Sequence, residues 1–123
     1  MKFKHLAALC AGILMIGLAS CEYDTIVPEK VVLPDEPVSF VKDVEPVFTS
    51  VGCTGCHPGM LKPDLTAGKS YASITSMNLV VAGSPATSKL MQYITAGHQT
   101  AANYTASQKA LITKWIEEGA KNN

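Results

Sequence analysis

The sequence predicts an all-α fold: a small bundle of short helices over residues 38–123, preceded by a leader over 1–20 and a flexible tether over 21–37. Three observations predict it. Apolar side chains recur at helical spacing through 38–53 (Val41, Val44, Val47, Phe48, Val51) and through 105–119 (Leu111, Ile112, Trp115, Ile116). Helix-start chemistry stands at Ser84-Pro85 and at Thr105 with Gln108. Nothing reads as a strand–helix–strand unit, and 123 residues suit one domain.

In the leader, Lys2 and Lys4 make a positive start, and Leu6 to Leu18 is an apolar run too short to span a bilayer comfortably. Leu18-Ala19-Ser20 then leads directly into Cys21. Small residues before a cysteine at this point resemble a bacterial lipoprotein signal. The resemblance implies cleavage before Cys21, which becomes the lipidated first residue; an ordinary secretory signal or an uncleaved anchor is the alternative. Loss of Lys2 and Lys4 leaves eight basic against ten acidic residues, so the mature chain is near −2 rather than neutral. With no basic patch, nucleic-acid binding has no electrostatic support. A lipid on Cys21 would attach the chain to a membrane without an amphipathic helix.

Residues 22–37 carry Pro28, Pro34 and Pro37 among acidic residues, without helical period. Such a tether reaches up to about 50 Å if extended; alternatively Val31-Val32-Leu33 rests on the domain. The first domain helix runs into Cys53. The expected N-cap is Asp43, after an irregular turn, which puts Pro46 harmlessly in the first turn; a start at Ser39 would kink the helix at Pro46. Residues 58–81 are mostly loop, punctuated by Gly59, Pro63 and Gly68, with Leu61, Leu65, Tyr71 and Ile74 as anchors and a short helix over 69–76. Ser84 and Pro85 then start a helix that buries Leu90, Met91, Tyr93 and Ile94 and stops at Gly97. Residues 96–104 form a loop containing His98. The last helix is bounded by the Thr105–Gln108 capping box and by Gly119. Trp115 belongs to the core, near the first helix or the edge of a bound group.

The chemistry-bearing stretch is Cys53-Thr54-Gly55-Cys56-His57. Two cysteines separated by two residues, with histidine next, form the attachment pattern of c-type haem. Each thiol can add across one haem vinyl group, and the following imidazole is then placed to reach the iron. A thioredoxin-type redox pair would need a βαβ context, a closed zinc site would need four ligands, and a structural disulfide is the third alternative. With Cys10 in the leader and Cys21 lipidated, all four cysteines have a destination. No glycine-rich phosphate loop, Ser-His-Asp arrangement or paired catalytic acid and base is visible.

Around this motif, the stretches Lys42-Asp43-Val44-Glu45-Pro46-Val47-Phe48, Ser88-Lys89-Leu90 and 115–123 are similar to those of class I-type c cytochromes. The closest likeness is to the small monohaem domains of bacterial lipoproteins. The resemblance spans roughly Ser39 to the C-terminus. It implies a cytochrome c-like helical bundle around one covalent haem c, with Cys53 and Cys56 bearing the cofactor and His57 as proximal iron ligand. It implies a monomeric carrier of single electrons between redox partner proteins of the cell envelope, with the outer membrane favoured. The chain departs from the family at the sixth iron position. The loop before the last helix holds no methionine, and His98 stands there instead. Imidazole is a good iron ligand, so His98 is the first candidate. Met91 and Met77 compete with it, Met60 should stay on the proximal side, and an open site is the remaining option. An open iron would make the protein a haem enzyme or gas sensor for peroxide or a diatomic ligand, with His98, Gln99 or Tyr104 as the hydrogen-bonding group.

Overall fold

The computed structural model describes residues 30–123. They form five α-helices with no strand among the described residues, in agreement with the all-α class: α1 (Glu45–Ser50), α2 (Cys53–Cys56), α3 (Ser70–Ser76), α4 (Lys89–Thr95) and α5 (Ala106–Glu117). The leader, Cys21 and the first part of the tether lie outside the described residues. Among the described residues, no helix is long and apolar enough to cross a membrane.

The first helical path starts earlier than its proline suggests. A π turn over Phe40–Val44 runs directly into α1, with Ser39 as its cap. The Ser39 hydroxyl accepts from the Lys42 N–H at 3.3 Å, and the Asp43 carboxylate accepts from the Ser39 N–H at 2.8 Å. Asp43 is therefore the returning half of the cap, not the cap itself. Pro46 has no N–H to offer the carbonyl four residues back. The π turn absorbs this: the N–H groups of Val44 and Glu45 reach five residues back, to Ser39 and Phe40, and Pro46 falls in the first turn of α1.

Phe40 is the hub of the core. Its ring lies 5.1 Å from Trp115, 5.2 Å and edge-on to Tyr71, and 6.4 Å from Phe48. Val44, Ile74, Ile112 and Ile116 close around this cluster, all fully buried. Trp115 thus packs on the first helical turn. Its indole N–H donates to the Lys121 carbonyl at 2.9 Å. Two expected anchors are not buried: Leu61 and Tyr93 are about half exposed.

The helix expected from Ser84 is broken in two. Pro85–Thr87 makes one 3-10 turn, and α4 starts only at Lys89. The cause is Ser88, whose fully buried hydroxyl accepts from the Val81 N–H at 2.9 Å and donates to the Ser84 carbonyl at 3.0 Å. Holding that hydroxyl inward leaves Ser88 extended (ψ 117°), so the path restarts after it. The α5 boundaries are as expected. Both halves of the Thr105–Gln108 box form, at 3.1 and 3.0 Å. At the other end Gly119 (φ 100°) donates to Ile116 and Ala120 donates to Trp115, a Schellman closure.

The second part of the tether is not free of the domain. Residues 30–38 lie along α5, bound through their backbone. Ser107 Oγ accepts from the Val32 N–H and donates to the Lys30 carbonyl. Lys114 Nζ donates to the carbonyls of Pro34 (2.7 Å) and Glu36 (2.9 Å). Glu118 accepts from the Val38 N–H at 2.7 Å. These three side chains sit seven and four residues apart, on one helix face.

Candidate functional site

The chain leaves α1 through Gly52, whose φ of 89° lies in the left-handed region that glycine adopts without strain. It then makes one helical turn, α2, closed by the His57 N–H donating to the Cys53 carbonyl at 3.0 Å. Both cysteines are free thiols, Cys53 buried and Cys56 exposed. The next residues fold back on His57. The Leu65 N–H donates to the His57 carbonyl at 3.0 Å, and His57 Nδ1 lies 3.2 Å from the Leu61 carbonyl. A carbonyl only accepts, so Nδ1 carries the proton and Nε2 keeps its lone pair. A carbonyl behind the ring in this way is the usual support of a metal-binding histidine. Asp64 stiffens the same loop. Its carboxylate accepts from the Thr66 hydroxyl at 2.6 Å and from the Thr66 N–H, and these bonds hold its pKa below the ordinary carboxylate value.

Beside α2 opens a cleft of about 330 Å³. Phe48, Leu65, Leu79, Leu90 and Ile94 give it apolar walls. Cys53, His57, His98, Thr100 and Tyr104 bring the polar groups, and Lys62 is the only permanently charged side chain on it among the described residues. The ring centroids of His57 and His98 are 6.1 Å apart, with planes tilted by 34°. His98 Nδ1 is engaged too, 3.0 Å from Thr100 Oγ1. Tyr104 places its hydroxyl 3.3 Å from Cys53 Sγ, and burial raises the phenol far above its ordinary pKa, so it keeps its proton.

These residues fit the group that the motif implies. The Cys53 thiol lines the apolar cleft, and the Cys56 thiol is exposed one turn away, outside the cleft wall. Two imidazoles that grip one metal from opposite sides, through bonds of about 2 Å, have centroids about 6 Å apart, close to the distance observed. Among the described residues, no group of three or more His, Cys, Asp and Glu is placed to hold a bare metal ion.

Of the rival distal ligands, one shares the cleft with His98 and two do not. Met77 lines the cleft. Met91 packs against the core instead, with its sulfur 3.9 Å from the Thr113 hydroxyl. Met60 is 95 % exposed and forms no part of the cleft wall. Gln99 is exposed. Two contacts have no counterpart in the sequence reading: Thr100 against His98, and Tyr104 against Cys53. The first is a local signal, a hydroxyl two residues after a histidine. The second joins residues 51 apart and leaves no pattern to read. No family model, curated protein or solved structure matches this chain.

Proposed function

We propose that the chain is a class I-type c cytochrome of the cell envelope, anchored by lipid on Cys21, that carries single electrons between redox proteins. The observation that carries this reading is the Cys53–Cys56–His57 turn opening on an apolar cleft, with His98 across from His57. Haem, when bound, would supply a one-electron ferric/ferrous couple. Cys53 and Cys56 would hold it through thioethers. His57, its Nδ1 engaged by the Leu61 carbonyl, would offer Nε2 to the iron. His98, with Thr100 against its Nδ1, is the candidate second ligand. The leucine and isoleucine walls exclude water and so help set the potential. Two imidazoles give a lower potential than an imidazole and a methionine.

The test is the absorption spectrum of the purified protein in both oxidation states, with a pyridine haemochrome assay. A two-thioether haem in a six-coordinate low-spin state is expected. Colourless protein of bare polypeptide mass, made in a cell equipped for haem attachment, would overturn the reading. His98→Ala should turn the site high-spin or open it to carbon monoxide; an unchanged spectrum would remove His98 as ligand. The exposure of His98 favours a second reading, a haem enzyme or gas sensor whose distal ligand yields to a diatomic molecule or peroxide. Carbon monoxide binding to the wild-type protein would support it, and indifference to carbon monoxide in the ferrous state would exclude it. Release from membranes on Cys21→Ser tests the anchor.

A further inference from the structure

Residues 30–37 stay exposed although their backbone is bound along α5. The binding falls on alternate residues. Ser107 takes the Lys30 carbonyl and the Val32 N–H, Lys114 takes the carbonyls of Pro34 and Glu36, and Glu118 takes the Val38 N–H. In an extended chain the N–H and C=O of one residue point to one side and those of the next point away. The even-numbered positions therefore give their backbone to α5, and no side chain joins the core until Val38, which is buried. Val31, Val32 and Leu33 are 45, 69 and 36 % exposed. A single exposed aliphatic residue is ordinary, but three in a row held in place on the surface mark a contact surface.

The chain itself sets what lies near that run. Residues 22–29 are all that separate Lys30 from Cys21, so a lipid on Cys21 keeps the start of the strap within about 30 Å of a bilayer. The strap carries Lys30, Asp35 and Glu36, with no cluster of positive charge for anionic headgroups. The contact open to it is apolar, at the level where headgroups meet acyl chains. No residue of 30–38 or of α5 lines the cleft. Met60, 95 % exposed, and Leu61 stand on the loop that folds back on His57.

We propose that Val31, Val32 and Leu33 form a membrane-contact surface. Held outward by the clasp on α5, they enter the interface of the same bilayer that holds Cys21. The proposal rests on the lipid-anchor reading of Cys21 and is independent of the haem reading. A lipid alone leaves the domain free to tumble on its link. The second contact seats it on the α5 side and leaves the cleft uncovered for partners. Because the contact is apolar, it needs no anionic lipid and survives high salt.

The experiment uses full-length lipidated protein in phosphatidylcholine vesicles whose acyl chains carry a photoactivatable carbene precursor, and maps the labelled residues by mass spectrometry. Label on Val31, Val32 and Leu33 is expected, at low and high salt alike, with none on Met60 or Leu61. In the triple variant Val31→Ser, Val32→Ser, Leu33→Ser, label on the retained Lys30 and Pro34 should fall about 10-fold. The triple variant Val31→Ile, Val32→Ile, Leu33→Ile should keep it. Membrane-bound protein without label at 31–33, or with equal label at Met60, overturns the proposal and leaves the anchor reading standing. Self-association of Cys21→Ser in solution that the triple serine variant abolishes would make a second copy the occupant and overturn it too. Wild-type protein that does not stay with membranes removes the anchor reading and the proposal together.

Discussion

Trp115 is 1 % exposed and touches both Phe40 and Tyr71, so it closes the core between the first helical turn, α3 and α5. Truncation of a buried tryptophan to alanine costs about 3–5 kcal/mol through lost burial and the cavity left behind. For Trp115→Ala we expect a large fall in the urea midpoint, measured by far-ultraviolet circular dichroism. Trp115 forms no part of the cleft wall, so on the proposed haem reading the spectrum of protein that remains folded should match wild type. A changed spectrum would place the indole next to the cofactor after all. The residue scale also divides what the sequence discloses from what it withholds. Cys53, Cys56 and His57 are legible because one helical turn converts their spacing into geometry. His98 is legible only as a candidate ligand type in its loop, and the structure places it on the cleft with His57. The links from Thr100 and Tyr104 to Cys53 cross 47 and 51 residues, and no local pattern encodes them.

Helix ends differ in the same way. The Thr105–Gln108 box lies within four residues and satisfies two backbone N–H groups that the first turn of α5 leaves unpaired. Thr105→Ala should cost about 1 kcal/mol and Thr105→Ser much less, read from urea midpoints. Faster amide exchange should be confined to the first turn of α5. Equal stability of the Ala and wild-type proteins would mean that packing alone fixes this end. The start of the first helical path is not legible locally, because its partners come from the other end of the chain. Asn123 accepts from the Phe40 N–H at 3.0 Å, the Val41 N–H at 3.1 Å and the Ser39 hydroxyl at 2.7 Å. That distant satisfaction lets the path begin at Ser39 and makes the π turn ahead of Pro46 affordable. The α4 start was misread for a related reason: the sequence offers two serines, and only tertiary burial of the Ser88 hydroxyl decides between them.

At the scale of the whole molecule, the docking of residues 30–38 would set how far the domain can stand from the proposed anchor on Cys21. A chain extends at most about 3.3–3.6 Å per residue, so the link from Cys21 to a docked Lys30 spans no more than about 30 Å. Full release to Pro37 would allow about 50 Å or more. The sequence could not disclose this, because Ser107, Lys114 and Glu118 take backbone atoms that many residues could supply, with Val38 alone of the segment adding a buried side chain. Glu118 is the titratable part of the clasp. The Val38 N–H, and after it Lys114 at 3.3 Å, hold its pKa below the ordinary 4.5. A lowered folded-state pKa means stability that is fully present above 4.5 and is lost as the pH falls through the lower folded value. We therefore expect residues 32–38 to loosen selectively on acidification below 4.5, before the core unfolds. Hydrogen exchange corrected for intrinsic rates would measure it. Glu118→Gln should show the loosened segment already at neutral pH, with no further acid step of its own. A wild-type segment that keeps its protection until global unfolding would show that Ser107 and Lys114 hold it without the carboxylate.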